Sequence, residues 1–269
     1  LNLYDALGYS CNTYFYDLGR REGAENFNEM ARTLGLATET GVELSEYTGR
    51  TTDPDDDNFT LGLELMAAIG QGNTAVTPVQ LATYAATIAN RGTRYRTHFV
   101  KAILDSNTGE VLQETQPEVM DVIEDRGDTF DLVRQGMIGV SETMSGLKNY
   151  PVTIACKTGT PQRSETYYVG STRKHYTNTT MIAYGPAEDA EIALGIVIEY
   201  GGGGARAGNL VADIFDAYYA MKDGSLTLDE TGAGETADTT ADGQDAVPET
   251  VENNDALADD TAPAEQPAV

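Results

Sequence analysis

The chain has no tryptophan, only two cysteines, and few cations, with 17 Lys and Arg against 43 Asp and Glu for a net charge of −26. So few basic residues leave no stripe to meet phosphates, which argues against a nucleic-acid surface. No apolar run is long enough to span a bilayer. Cys11 and Cys156 provide neither metal-ligand spacing nor a disulfide framework, and they fit either redox compartment. An initial methionine is also lacking. The chain starts at Leu1, straight in helical-looking sequence, and is expected to be a fragment of a longer protein whose signal or anchor lies upstream.

What is present is unevenly spread. Residues 223–269 hold 13 Asp or Glu and no Lys or Arg, half of the net charge, among Gly, Ala, Thr and Pro. A segment so poor in large apolar side chains cannot offset its own conformational entropy, so a solvated, disordered acidic tail is expected there. Residues 1–222 are only mildly acidic and long enough for a sizeable core.

Within 1–222 the periodicities change from helix to strand. Phe27, Met30, Ala31 and Leu34 have helical spacing over Asn26–Gly35, with Gly35 as the stop. Asp53–Asn58 reads as an acidic loop. Thr77-Pro78-Val79-Gln80 combines an N-cap, a proline at the first helical position and a capping-box glutamine, and the helix it starts should end at Asn90–Gly92. A hairpin is expected from Val100–Leu104 and Val111–Gln113 around Asn107-Thr108-Gly109. Phe130, Val133, Met137, Val140 and Met144 mark another helix, capped near Asp128. Strands follow at Val152–Thr160, Thr179–Tyr184 and Ile192–Tyr200, then a helix with Leu210, Ile214, Tyr218 and Met221 on one face. That order predicts an α/β protein of the α+β type, an antiparallel sheet covered by helices.

Two short motifs carry chemistry. Ser10-Cys11-Asn12 is an S-x-N tripeptide, common by chance, and Lys157-Thr158-Gly159-Thr160 is a K-T-G-T at a strand end, which is rare. Taken singly, Ser10 could be an N-cap with Asn12 in a turn, and Lys157 an ordinary strand-end lysine. Taken together and in this order, they match the later two elements of the serine acyl-transfer set S-x-x-K, S-x-N, K-T-G.

Ser10-Cys11-Asn12-Thr13-Tyr14-Phe15-Tyr16, Gly70-Gln71-Gly72 followed by Thr77-Pro78-Val79-Gln80-Leu81-Ala82, and Lys157-Thr158-Gly159-Thr160-Pro161-Gln162 resemble the corresponding segments of class B penicillin-binding proteins. The glycine run Gly201–Gly204 and the closing helix also follow as in that family, so the likeness covers about residues 1–222. It implies the penicillin-binding transpeptidase or serine β-lactamase-like fold, here incomplete, and a D,D-transpeptidase that cross-links peptidoglycan stem peptides and is acylated by β-lactams.

The resemblance also implies site roles. Ser10 would relay a proton between the nucleophile's lysine and the leaving amine. Asn12, able to donate and accept, would hold that lysine and the substrate amide. Lys157 would add positive charge and attract the substrate's terminal carboxylate, which the Thr158 and Thr160 hydroxyls would bind. The Thr160 N–H would form half of an oxyanion hole. A side chain at Gly159 would block close approach of substrate or the neighbouring helix. No metal or organic cofactor is implied. The partners implied are stem peptides, β-lactams and the cell-wall synthesis machinery, on the extracytoplasmic face of the bacterial membrane.

The S-x-x-K element is missing: only nine residues precede Ser10, and none supplies it. Ser145-Gly146-Leu147-Lys148 and Ser171-Thr172-Arg173-Lys174 match its spelling, but both come after S-x-N. Ser145 is expected at the broken end of the Phe130 helix and Ser171 in an inter-strand loop, where positions i and i+3 need not share a face. Both are read as decoys, and the fragment is expected to be inactive alone. The competing readings are a serine β-lactamase, disfavoured by Asn12, and a β-lactam sensor or inert cell-wall-binding module. Cys156 should point away from Lys157 and pack as a small hydrophobe. Gly70-Gln71-Gly72 should be a backbone turn that shapes the site.

Overall fold

The first motif sits at a break between two helices. Asn2 caps α1 (Leu3–Gly8) by accepting the Asp5 N–H at 2.8 Å, and the chain re-enters helix as α2 (Asn12–Thr33). The structure is a computed structural model and describes residues 1–204, 207–228 and 234–236. The sequence pattern locates only the second half of α2, because Gly23, at φ 78°, kinks the helix and shifts the phase of its apolar positions. The freed Ala24 N–H is taken by Glu64 Oε1 at 3.0 Å, from the short α3 (Leu61–Ala67). Gly35 stops α2 as expected, with φ 96° just beyond the Leu34 cap.

α4 (Pro78–Ala89) begins with the expected capping box, Thr77 and Gln80 each satisfying the other's backbone. Gln80 does more than cap. Its buried Nε2 donates to the carbonyls of Thr38 and Thr48 at 2.6 and 2.8 Å, pinning the irregular stretch before α3. β1 (Thr93–Tyr95) pairs antiparallel with β4 (Val119–Val122), joined by an Arg94–Asp121 ion pair. Strands this short leave no alternation to detect. Between them, β2 (Ala102–Leu104) and β3 (Val111–Glu114) form the expected hairpin.

α5 (Thr129–Ser141) differs from expectation at both ends. Asp128 occupies the N-cap position but has φ 61° and caps nothing; Asp125 accepts the Thr129 N–H at 2.9 Å instead. The helix ends before Met144, which packs into the core from a turn, so Ser145 lies beyond the helix rather than at its end.

The central sheet is β5 (Ala155–Gly159), β8 (Thr179–Gly185) and β9 (Ile192–Ile198), in the order β5-β8-β9 and antiparallel throughout. A hairpin absent from the sequence-based expectation, β6 (Gln162–Val169) and β7 (Thr172–Thr177), extends the β5–β8 pair beyond the sheet. Ser171 sits in its turn, as the loop reading expected. One face of the sheet, with Cys156, Met181 and Ala183, packs on Val211 and Phe215 of α6 (Ala207–Asp223) and on Val140 and Met144. The other face presents Ala155, Ile182 and Tyr184 to Ala85 and Ile88 of α4 and Met137 of α5. Alternation along each strand splits the apolar residues between these two layers, and each fully buried large side chain contributes about 1.5–3 kcal/mol. This is the expected antiparallel sheet covered by helices.

The chain divides into two units, Leu1–Tyr219 and Ala220–Val269, a few residues before the sequence-based boundary at 222. In the second unit, β10 (Leu226–Leu228) pairs antiparallel with β11 (Gly234–Thr236). Most of the stretch expected to be a disordered acidic tail lies outside the described residues. Among the described residues no helix is long and apolar enough to cross a membrane.

Candidate active site

Ser10 is neither an N-cap nor part of a helix. Its N–H donates to the Leu7 carbonyl at 3.2 Å and the following Cys11 N–H to the Ala6 carbonyl at 2.9 Å, the two bonds of a Schellman ending on α1. Ser10 takes the left-handed position of that motif, φ 51°, where glycine is the usual residue. Cys11 then serves as the N-cap position of α2, and Asn12 is the first helical residue rather than a turn residue. A serine held where glycine would be less strained has been placed for its hydroxyl, which is exposed.

Packing carries that hydroxyl to the sheet. α1 lies on α5, where a Cβ on Gly136 would come within 2.7 Å of Leu7, and α5 in turn packs on β5. The result joins residues 147 apart in sequence: Lys157 Nζ donates to Ser10 Oγ at 2.6 Å. The same ammonium donates to the Thr158 carbonyl at 3.0 Å. Lys157 is half-buried, and that burial lowers its pKa below the ordinary lysine value. The nearby hydroxyl and carbonyl are neutral acceptors, so the ammonium has charge left to offer an anion.

Next to it on the strand, Cys156 faces the other way. It is fully buried among Met144, Met181 and Phe215, its Sγ 3.7 Å from Met144 Sδ, and burial pushes its thiol up to about 12. This is the small hydrophobe expected from alternation, and it is inert at neutral pH.

The end of β5 is held from two sides that the sequence reading had not connected. Gln71 Nε2 donates to the Thr160 carbonyl at 3.4 Å, and the Gly204 N–H donates to Thr160 Oγ1 at 3.3 Å. Gln71 stands between Gly70 and Gly72, both at positive φ, so the expected backbone turn also aims a side chain at the strand. The signal was a polar residue fixed between two glycines. Gly204 lies against Thr158, where an added Cβ would come within 2.8 Å of the Thr158 Cβ. The close neighbour of Gly159 is the adjacent strand rather than a helix: an added Cβ would collide with Thr180 Oγ1 on β8.

The structure therefore gathers Ser10 and Lys157, and continues along β5 through Thr158, Gly159 and the exposed Thr160. Asn12 is exposed at the start of α2, and among the described residues its side chain has no hydrogen-bond partner. Of the two S-x-x-K look-alikes, Ser145 lies on the α6 side of the sheet, its carbonyl against Gly208, and Ser171 at the hairpin tip. Neither belongs to the Ser10–Lys157 cluster. Among the described residues no group of His, Cys, Asp and Glu could hold a metal ion. Chemically, the arrangement offers a hydroxyl bonded to an ammonium beside an edge strand, suited to proton relay and to holding an anionic, extended ligand.

Comparison with known proteins identifies the family. Penicillin-binding protein 2A of Bacillus subtilis is 32% identical over 215 residues, covering 74% of this chain and 29% of that protein. Peptidoglycan D,D-transpeptidase MrdA of Acinetobacter baumannii is 29% identical over 231 residues, covering 80% of this chain and 34% of the relative. The chain thus spans about a third of the length of these relatives. Among solved structures, the complex of penicillin-binding protein PBP2 with MreC from Helicobacter pylori superposes with a TM-score of 0.67 at 27% identity, covering 82% of this chain and 40% of that one. The penicillin G acyl-enzyme of penicillin-binding protein A from M. tuberculosis gives 0.66 at 27%, covering 81% and 48%. The family described as the penicillin-binding protein transpeptidase domain matches residues 1–217, and this chain belongs to it.

Proposed function

We propose that this chain supplies the second and third catalytic elements of a peptidoglycan D,D-transpeptidase. The observation that carries the reading is the 2.6 Å bond from Lys157 Nζ to Ser10 Oγ, which unites two motifs far apart in sequence. The nucleophilic serine and its lysine, the S-x-x-K pair, would come from the same protein upstream of Leu1. The chain by itself would then acylate nothing.

In the proposed reaction the nucleophile attacks the carbonyl carbon of a D-Ala-D-Ala peptide bond. The S-x-x-K lysine takes the nucleophile's proton and returns it through Ser10 Oγ to the departing amine of the terminal D-Ala as the C–N bond breaks. Lys157 holds the Ser10 oxygen in place and keeps the site cationic. Asn12, with an unengaged amide, orients the nucleophile's lysine and the substrate amide. Thr158 and Thr160 hydroxyls and the Lys157 ammonium take the substrate's terminal carboxylate. The Thr160 N–H, fixed through Gln71 and Gly204, serves as one oxyanion donor. An amine from a neighbouring stem peptide then displaces the enzyme from the acyl group, taking the acyl carbon and restoring the serine. β-Lactams acylate the same serine. The cell-wall synthesis machinery is the proposed assembly, in keeping with the PBP2–MreC complex among the structural neighbours, on the extracytoplasmic face of the membrane.

The test is fluorescent-penicillin labelling of the full-length protein, with the modified residue located by peptide mass spectrometry. Label on an S-x-x-K serine upstream of Leu1 is expected. Label on Ser145 or Ser171 would overturn the assignment, and a protein that takes no label would leave only the inert wall-binding module.

A further inference from the structure

β5 and β8 are adjacent and antiparallel, so a connection of about 2–5 residues could join them. The chain instead prolongs the β5–β8 pair into the β6–β7 hairpin, in unbroken register through the Asn178 N–H to the Pro161 carbonyl at 3.0 Å and Gln162 opposite Thr177. Its cross-strand register, Tyr167 opposite Lys174 and Val169 opposite Thr172, puts Val169, Tyr167, Lys174 and Tyr176 on one face. The aromatic row continues past the hairpin: ring centroids lie 4.6 Å apart for Tyr167 and Tyr176, and 5.4 Å apart for Tyr176 and Tyr200. All three rings remain more than a third exposed. The two strands here extend past the layered core with no helix packed on them, so an exposed aromatic row on them is a candidate contact surface.

The charge here is also atypical. In a chain of net charge −26, residues 162–177 carry Arg163, Arg173 and Lys174 against the single acid Glu165. Arg163 is engaged with Glu165 and lies over the Tyr200 ring, but Lys174 makes no ion pair among the described residues and is exposed within the aromatic face. The hairpin also starts at Gln162, two residues beyond Thr160. The base of the hairpin thus adjoins the strand end proposed to hold the stem peptide.

We infer that the Tyr167–Tyr176–Tyr200 row, with Lys174, is a docking platform for the glycan strand that bears the stem peptide. The inference rests on the transpeptidase reading and names the part of the substrate that β5 does not hold. The apolar C–H faces of pyranose rings suit the electron-rich faces of tyrosines. Tyr167 and Tyr176 incline at 37° as the sugar-contacting pair, while Tyr200 meets Tyr176 edge-on and braces it with Arg163 over its own ring. Lys174 complements the carboxylates of peptides hanging from that strand.

The experiment is calorimetric titration of the full chain with two probes, a soluble uncross-linked glycan oligosaccharide bearing stem peptides and the free stem peptide. The double variant Tyr167→Ser/Tyr176→Ser should weaken binding of the oligosaccharide about tenfold, and Lys174→Glu by several-fold. The tyrosine pair should leave free-peptide affinity unchanged, and Lys174→Glu should weaken the free peptide less than the oligosaccharide. Tyr168→Ser, on the opposite hairpin face, should leave both affinities within about twofold. Lys174 is an exposed side chain, so its variant keeps the test decisive even if the tyrosine pair proves necessary for the hairpin. Equal affinity for the two probes would overturn the platform, as would equal loss of both in the variants. Self-association that disappears in the stripe variants while glycan binding persists would assign the face to a second copy of the chain. Failure of penicillin labelling, with glycan binding still dependent on the stripe, would sink the transpeptidase reading and leave the platform standing.

Discussion

On β5, Cys156 and Lys157 leave one backbone in opposite directions and meet opposite surroundings. Cys156 enters a dry layer of Met144, Met181 and Phe215, where burial raises its thiol to about 12 and keeps it neutral. Lys157 meets Ser10 and the Thr158 carbonyl on a half-buried face, where burial lowers its pKa with no ion-paired carboxylate among the described residues to compensate. On one side polarity is excluded and stability gained. On the other a cation is retained at some expense to stability, in keeping with the proposed role of holding an anionic ligand. At these two positions the strand divides core from proposed chemistry, and substitutions at 156 and 157 should separate the two properties.

The largest separation should appear in acylation of the full-length protein by fluorescent penicillin. Lys157→Ala and Ser10→Ala should each lower the labelling rate by about 10²-fold or more, the range expected when a positioned proton-transfer group is lost. Cys156→Ala, one position away, should leave that rate within a few-fold while lowering the unfolding midpoint. Equal kinetic damage at 156 and 157 would abolish the partition.

The next largest effect concerns the dry side. Phe215 is fully buried against Ile154 and Gly185, with an edge contact to Tyr150 and a tilted one to Tyr219. Phe215→Ala should cost about 3–5 kcal/mol in urea unfolding, from lost transfer energy and the cavity left behind. A loss well under 1 kcal/mol would mean that the α6 face is not the packed layer described.

How much of this partition was legible in the sequence depends on the signal each feature leaves. The K-T-G strand, the capping box at Thr77 and Gln80, the stop at Gly35 and the inward Cys156 were readable, because each is local chemistry or strict alternation. The first half of α2 was not, since Gly23 shifts its phase, and β1 and β4 are too short to alternate visibly. The β6–β7 hairpin was missed because its exposed, mixed residues carry no core-facing stripe. For the site, the motif residues were legible but their mode of support was not. Nothing in the sequence indicates that Ser10 ends a helix, that Gln71 reaches Thr160, or that Gly159 yields to Thr180 rather than to a helix. Those are long-range contacts, and only the packing of α1 on α5 and of Gly204 beside Thr158 creates them.

A smaller effect should appear in the pH dependence of stability. Burial holds the Lys157 pKa below its unfolded value, so the folded state resists protonation. That penalty is fully present below the lowered folded pKa and fades as pH rises to the unfolded lysine range. Lys157→Met should therefore stabilise the chain more at neutral pH than near pH 11, as read by urea midpoints at the two values. A pH-independent gain would assign the effect to packing alone.

The smallest expected effect tests the other member of the pair. Ser10 holds φ 51° at the left-handed position of the α1 ending, a conformation that disfavours any Cβ by about 1–2 kcal/mol and that glycine adopts freely. Glycine gives back part of that gain by widening the unfolded ensemble, so Ser10→Gly should stabilise folding by about 0.5–1 kcal/mol. Ser10→Ala, which keeps the Cβ and loses the hydroxyl, should show no such gain. Both variants lose the acceptor of the Lys157 ammonium, so both should fall together in acylation while differing in unfolding midpoint. If Ser10→Gly were instead less stable than Ser10→Ala, the left-handed strain would not be present, and the argument that this serine is kept for its hydroxyl would lose its energetic basis.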